Sequence, residues 1–198
     1  MSLIEHKQTH EANGFIKGWY IDTTICDTLI DYFESSNKQK PGKVSWGVDE
    51  KQKKSVDVVL EDLDLLKLYA AELQKVFNEY VKIFQYVNEY SPWGIVEAVN
   101  LQRYLPSEGF YKWHTERGEA NGKQSNRHLV FMTYLNDITD GGETEFFYQN
   151  TKVKPEKGLT IVWPTDWTHT HRGCTSNTET KYIITGWASY YNKTNIGN

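Results

Sequence analysis

Arg127-His128-Leu129-Val130-Phe131-Met132-Thr133-Tyr134-Leu135-Asn136 decides the fold class, because it is one of the longest in a series of like segments. Stretches near 95–104, 110–116, 144–148, 158–163 and 181–190 share its wealth of Val, Ile, Thr, Tyr, Phe and Trp. Such side chains suit a pleated, half-buried surface. Turn material separates the segments: Pro106-Ser107-Glu108-Gly109, Asp140-Gly141-Gly142, Pro155-Glu156-Lys157-Gly158 and Arg172-Gly173. Short strands so punctuated predict an antiparallel sandwich or jelly roll. Gly141-Gly142 is read as a turn that needs unusual backbone angles, and Arg172-Gly173 as another turn, with substrate binding as the alternative.

Working back toward the N-terminus, the first ninety residues read as helical. Asp22 caps a helix running through Cys26, Leu29, Ile30 and Phe33 to Ser35-Ser36-Asn37. A second helix carries one apolar stripe, Val59, Leu63, Leu66, Ala70, Leu73, Phe77, Tyr80 and Phe84, with charged residues between. It is read as a support helix lying on a sheet. Between the two helices, Asn37 to Lys54 holds Pro41-Gly42 and six lysines and reads as a solvated loop, with a basic substrate-contacting arm as the alternative. The fold class expected is therefore mainly β with N-terminal helices, the helices buttressing one face. Residues 1–94 form the support region, 95–192 the jelly-roll core in one functional unit with it, and 193–198 a tail.

Composition narrows the function classes. The chain has 198 residues and a formal charge of −4, which gives no global pull toward nucleic acid or an anionic membrane. No run of about 18 apolar residues is present, so no membrane span is expected. The polar stretch Met1 to Glu11 lacks the apolar segment of a secretory signal, and a cytoplasmic location is expected. Cys26 and Cys174 are too few for a disulfide framework and are read as free thiols. With 7 Trp, 13 Tyr and 8 Phe, the chain is rich enough in rings to build an aromatic-walled pocket as well as a core.

Candidate chemistry gathers on three of the six histidines. His114 and Glu116 lie two apart, and on a strand such positions share a face and can converge on one ion. A third ligand from Trp167-Thr168-His169-Thr170-His171-Arg172-Gly173 would complete two imidazoles and one carboxylate, with open positions opposite them. That is the ligand pattern of non-haem Fe(II) oxygenases. His128 reads as a structural histidine, and His6 and His10 as solvated terminal residues.

Taken together, these stretches resemble the iron- and 2-oxoglutarate-dependent dioxygenases in their prolyl 4-hydroxylase-like branch. The likeness runs from Gln102-Arg103-Tyr104 through Tyr111 to Glu116, Arg127 through Asn136 and Gly141-Gly142-Glu143-Thr144-Glu145-Phe146. It continues through Pro155 to Gly158, Val162-Trp163, His171-Arg172-Gly173 and Lys181-Tyr182. The resemblance implies a double-stranded β-helix with His114, Glu116 and His171 as iron ligands. His171 is preferred over His169 because the family places a basic residue about ten positions after the distal histidine, where Lys181 stands. His169 then becomes a neighbour on the same face.

By the same resemblance, Lys181 and Thr185 hold the far carboxylate of 2-oxoglutarate, and Tyr104, Tyr111 and Tyr134 line its pocket. Fe(II), 2-oxoglutarate and O2 are the implied cofactors, with ascorbate as an accessory reductant. The implied partner is a peptide carrying a prolyl residue, and if so Trp46 is its expected contact. A free amino acid, another small metabolite or an alkylated nucleobase is the alternative substrate, with nucleic acid disfavoured by charge. A non-catalytic jelly-roll binding module is the alternative from another class. The family usually carries Asp where this chain has Glu116, which keeps the charge and adds one methylene. A carboxylate there argues against halogenating relatives.

Overall fold

The computed structural model describes residues 3–11, 14–118 and 122–191. The expected tail at 193–198 and the side chain of His10 lie outside that description. In chain order the elements are β1 (Ile4–Glu5), α1 (Lys7–Glu11), β2 (Lys17–Tyr20), α2 (Thr23–Ser35), β3 (Lys40–Pro41) and β4 (Val56–Val59). They continue with α3 (Leu63–Ile83), β5 (Trp93–Ile95), β6 (Asn100–Tyr104), β7 (Phe110–His114), β8 (Arg127–Tyr134), β9 (Thr144–Phe146) and β10 (Thr151–Val153). The last are β11 (Leu159–Pro164), β12 (His171–Gly173) and β13 (Lys181–Tyr190).

Two antiparallel sheets form the body. The larger runs β1-β2-β11-β8-β13-β6-β4-β3 with β5 also paired to β13, and the smaller runs β10-β9-β12-β7. This is the mainly β jelly roll expected, with α2 and α3 on one face. The period-two alternation of a strand divides β8 between two cores. Leu129 and Phe131 face the helices with Leu29, Phe33, Tyr69, Leu73 and Phe77. Val130, Met132 and Tyr134 face the small sheet with Phe146, Val153, Ile161 and Trp163. Thr133 breaks the apolar helix side, and its hydroxyl is paired with Tyr69 Oη at 2.9 Å and Thr160 Oγ1 at 2.7 Å. A buried hydroxyl without those partners would destabilise the core.

The first ninety residues are less helical than their sequence reads. They also supply β1 to β4, and β2 and β4 are hydrogen-bonded into the large sheet beside β11 and β6. Lys17-Gly18-Trp19-Tyr20 is too short to show a strand period, so pairing with β11 rather than local preference makes it a strand. The α2 cap is as read: Asp22 Oδ1 accepts from the Thr24 N–H at 2.9 Å. Helix α3 starts later than its stripe suggests, capped by Asp62, because Val59 belongs to β4. Its phase also differs at the start, with Leu63 exposed and Leu65, Tyr69, Leu73, Val76, Phe77 and Tyr80 buried.

Other expectations are settled by packing. Trp19 is buried against the helices, and Trp93 meets Phe77 edge-on at 5.1 Å. His6 is not solvated; it is buried, with its ring 5.9 Å from Tyr20 and Nε2 3.8 Å from Glu156. His128 is the structural histidine expected, bonded through Nε2 to the Val87 carbonyl at 3.0 Å and stacked on Tyr190. Cys26 and Cys174 are both free. Among the described residues no helix is long and apolar enough to cross a membrane.

Candidate metal centre

Strand register brings the two imidazoles together. His114 ends β7 and His171 begins β12, and the two are direct cross-strand partners with ring centroids 4.3 Å apart. Aromatic walls hold the rings: Phe110 stacks on His114 at 3.7 Å, and Trp163 meets His171 edge-on at 5.1 Å. Each ring contacts a backbone carbonyl through Nδ1, His114 with Lys112 O at 2.9 Å and His171 with His169 O at 2.9 Å. A carbonyl only accepts, so each Nδ1 carries the proton and each Nε2 presents its lone pair. That is the orientation metal-binding histidines are given by their outer partners.

Glu116 completes the group, though not as a strand neighbour of His114. It lies beyond the end of β7, in a bend whose Glu116 and Arg117 amides both donate to the Thr165 carbonyl, at 3.2 and 3.0 Å. Thr115 Oγ1 donates to the same carbonyl at 2.6 Å. The loop, not the pleat, therefore aims the carboxylate. Oε1 sits 3.4 Å from His114 Nε2 and 3.5 Å from His171 Nε2. Oε2 accepts from Trp187 Nε1 at 3.0 Å and lies 3.5 Å from Arg127 Nη1. Arg127 is held in turn by Glu97, through Nη2 at 2.8 Å, and its guanidinium lies over the Trp187 ring at 3.4 Å.

Burial works against the Glu116 charge, yet the neighbouring His114 and His171 rings hold its carboxyl well below the usual range. Burial and then the neighbouring His171 lower the pKa of His114. A ligand atom from each of His114, Glu116 and His171 falls within 4.8 Å of the other two, the one such group among the described residues. A borderline-hard divalent ion fits this set: two neutral imidazole nitrogens, one anionic oxygen, and second ring nitrogens already committed.

His169 does not share the face of His171. It sits in the 3-10 turn Trp167–His169, where the two-residue strand repeat does not apply. Its ring is buried beside Phe15 and Thr168, its Nε2 has no hydrogen-bond partner among the described residues, and burial lowers its pKa to about 4. Only its carbonyl serves the site. Arg172-Gly173 is likewise part of β12 rather than a turn, and Arg172 pairs with Glu145 opposite it at 2.7 Å.

The three converging groups open on a cavity of about 900 Å3 between the sheets. Alternate residues of β13, Lys181, Ile183, Thr185 and Trp187, line it, as do Asn100, Gln102 and Tyr104 of β6. Lys181 is buried with no carboxylate partner among the described residues, and burial lowers its pKa to about 8. Its ammonium donates to Gly142 O at 2.8 Å and Cys174 O at 3.3 Å, which leaves one of its three N–H groups uncommitted. Gly141 and Gly142 make the expected turn, with φ of 97° and 74°, and so offer that carbonyl. A buried cation with a spare donor at a cavity wall fits one end of a small dicarboxylate.

The remaining named side chains divide. Thr185 lines the cavity but its hydroxyl donates to Phe131 O at 3.0 Å, so its oxygen is left to accept. Tyr104 lines it and donates to Gln102 Oε1 at 2.6 Å. Tyr134 stands one layer behind, its phenol bonded to Thr144 Oγ1 at 2.6 Å. Tyr111 turns toward the preceding loop and donates to Ser107 O at 3.0 Å.

Sequence reading assigned no role to Arg127 and left Trp187 as a sheet residue. A step of two onward from Lys181 and Thr185 reaches Trp187, so strand periodicity held that signal. It also favoured a solvated loop at 37–54, whereas Lys38, Lys40, Lys43, Trp46, Gln52 and Lys53 line the cavity.

Residues 99–189 match the family model described as the 2OG-Fe(II) oxygenase superfamily. Among curated proteins, prolyl 4-hydroxylase subunit alpha-3 of Mus musculus is 26% identical over 148 residues, 70% of this chain and 25% of the relative. The Rattus norvegicus counterpart is 27% identical with the same coverage. The chain thus spans about a quarter of the length of these curated relatives. The viral collagen prolyl hydroxylase of Paramecium Bursaria Chlorella virus-1, solved as its 2OG complex, has a TM-score of 0.65 at 18% identity, over 90% of this chain and 98% of that one. A Pseudomonas putida prolyl-4-hydroxylase has a TM-score of 0.68 at 15% identity, over 89% and 94%. A Trichoplax adhaerens prolyl hydroxylase, solved with a hypoxia inducible factor peptide fragment, has 0.65 at 16%, over 85% and 78%. At these identities the solved structures are relatives in fold.

Proposed function

From a core, residues 99–189, that belongs to the 2OG-Fe(II) oxygenase superfamily in its prolyl 4-hydroxylase-like branch, we propose that this chain hydroxylates a C–H bond of a prolyl residue in a peptide. The observation that carries the reading is the convergence of His114 Nε2 and His171 Nε2 on Glu116 Oε1, with both Nδ1 atoms tied to carbonyls. His114, Glu116 and His171 would hold Fe(II). Lys181 would take the far carboxylate of 2-oxoglutarate, and Thr185 and Tyr104 would border it. Bound there, iron with 2-oxoglutarate and O2 supplies the oxidising equivalents for hydroxylation, with succinate and CO2 as coproducts.

The chain's own contribution is orientation and dryness. The carbonyls of Lys112 and His169 keep both imidazoles in one tautomer. Trp187 and Arg127 hold the second carboxylate oxygen of Glu116, so that its first oxygen stays with the imidazoles. Phe110, Phe146 and Trp163 pack around the ligand rings and limit water beside them. In this reading residues 1–94 support the core within one unit, since β2 and β4 are hydrogen-bonded into its sheet.

A peptide substrate is preferred because the fold relatives are prolyl hydroxylases, one of them solved with a peptide fragment. The test is anaerobic loading with Fe(II) and 2-oxoglutarate followed by air, with succinate measured across proline-containing peptides and free amino acids. Succinate release stimulated by peptides supports the proposal. Stimulation by free amino acids alone overturns the peptide assignment, and no turnover with any substrate favours a binding module.

A further inference from the structure

The segment between α2 and β4 is an arm that spans the two sheets at the mouth of the cavity. At one end Lys40 and Pro41 pair with Asp57 and Val56 of β4, and the next residue's amide, Gly42 N–H, donates to Ser55 O at 2.9 Å. At the other end the Gln52 carbonyl accepts from the Tyr111 amide at 2.8 Å, and Lys54 N–H donates to Gly109 O at 2.9 Å. The arm is thus pinned to the large sheet and to β7.

Its charges are not equivalent. Lys38 is paired with Glu61, Lys53 with Asp57 at 2.8 Å and Lys54 with Glu108 at 3.4 Å. Lys40 and Lys43 are exposed at the mouth with no carboxylate partner among the described residues. Lys112, on β7 across the opening, also lacks one, and its ammonium lies 4.4 Å from the centroid of the exposed Trp46 ring. A chain of net charge −4 therefore presents three uncompensated cations around one opening.

On the proposed-function reading, which this inference rests on, we propose that the mouth selects an acidic peptide: carboxylates flanking the target residue are taken by Lys40, Lys43 and Lys112. Opposite charges that meet at a rim set partner choice and encounter rate more than raw affinity. A nucleic-acid strand is the less suitable occupant. Phosphate backbones are held by many cations together, whereas here the neighbouring lysines are already neutralised by Glu61, Asp57 and Glu108.

The test reads binding apart from turnover. Fluorescence anisotropy on the full chain compares labelled peptides of one length with a central proline flanked by glutamates, alanines or lysines. A single-stranded oligonucleotide of similar length is the competitor. The glutamate peptide should bind about tenfold tighter than the lysine peptide, with the preference shrinking as salt rises. Combined K40E, K43E and K112E substitutions should reverse the order, with folding checked by circular dichroism, and K43E alone should narrow it. Equal binding of the three peptides, an unchanged order in folded charge-reversal protein, or stronger binding of the oligonucleotide overturns the proposal. Because no metal or turnover enters the measurement, a failed dioxygenase reading appears separately, as absent succinate.

Discussion

The indole N–H of Trp187 donates to Oε2 of Glu116 at 3.0 Å while Oε1 of the same carboxylate faces both imidazoles. A glutamate reaches one methylene further than an aspartate and has one more rotatable bond to fix. Trp187, with Arg127 packed on its ring at 3.4 Å, fixes it.

Trp187→Phe keeps an aromatic side chain beneath Arg127 and removes the donor. Divalent-ion affinity, read by anaerobic calorimetry with Mn(II) or Fe(II), should fall about tenfold, as when an outer partner of a metal ligand is lost. Unchanged affinity would mean that Arg127 alone holds Glu116.

His171→Ala removes one of three converging donors and should abolish tight metal binding. His169→Ala should spare it, since His169 meets the site only through its backbone carbonyl, which the substitution retains. The second variant should instead lose stability, because a buried ring beside Phe15 leaves a cavity. Metal titration and thermal unfolding of both proteins separate the two effects.

Lys181 carries a pH dependence whose sign follows from its burial. Its folded pKa of about 8 lies below the ordinary lysine value, so its charge is present below pH 8 and fades above it. Affinity for 2-oxoglutarate in the ligand-free protein should weaken by up to about tenfold per pH unit above that point. Between about 8 and the unfolded value the unfolded chain binds more protons, so this group makes stability rise with pH across that window. Lys181→Met removes the titration, and its stability difference from wild type should shift steadily over the same range. A flat difference in denaturant titrations would contradict the buried, charged lysine.

Gly141→Ala tests the turn that serves Lys181. Gly141 has φ of 97°, and an added Cβ would lie 2.4 Å from the Thr175 carbonyl oxygen. The variant should lose about 1–3 kcal/mol of stability. It should also weaken 2-oxoglutarate binding, because the next residue's carbonyl is the acceptor for Lys181. Wild-type-like unfolding would show that the turn relaxes without strain.

Much of this protein can be read along the chain. The β-rich segments from 95 to 190, the Asp22 cap and the stripe of α3 are local patterns, and local patterns are what sequence periodicity records. The alternation of Lys181, Ile183, Thr185 and Trp187 toward the cavity is of the same kind. His114, Glu116 and His171 were identifiable because a resemblance covered them in order.

What tertiary structure decided is everything that depends on which segments meet. β2 is a strand because β11 lies beside it, and His6 is buried because Tyr20 and Glu156 close over it. His171 rather than His169 faces Glu116 because a 3-10 turn ends between them and β12 registers on β7. Lys38, Lys40, Lys43 and Lys53 border the cavity because Lys40-Pro41 pairs with β4 at one end of the arm and Gln52 bonds β7 at the other. A residue's own preference reaches only a few neighbours; the long-range pairing of sheet strands and loops places donors and charges that sequence leaves far apart.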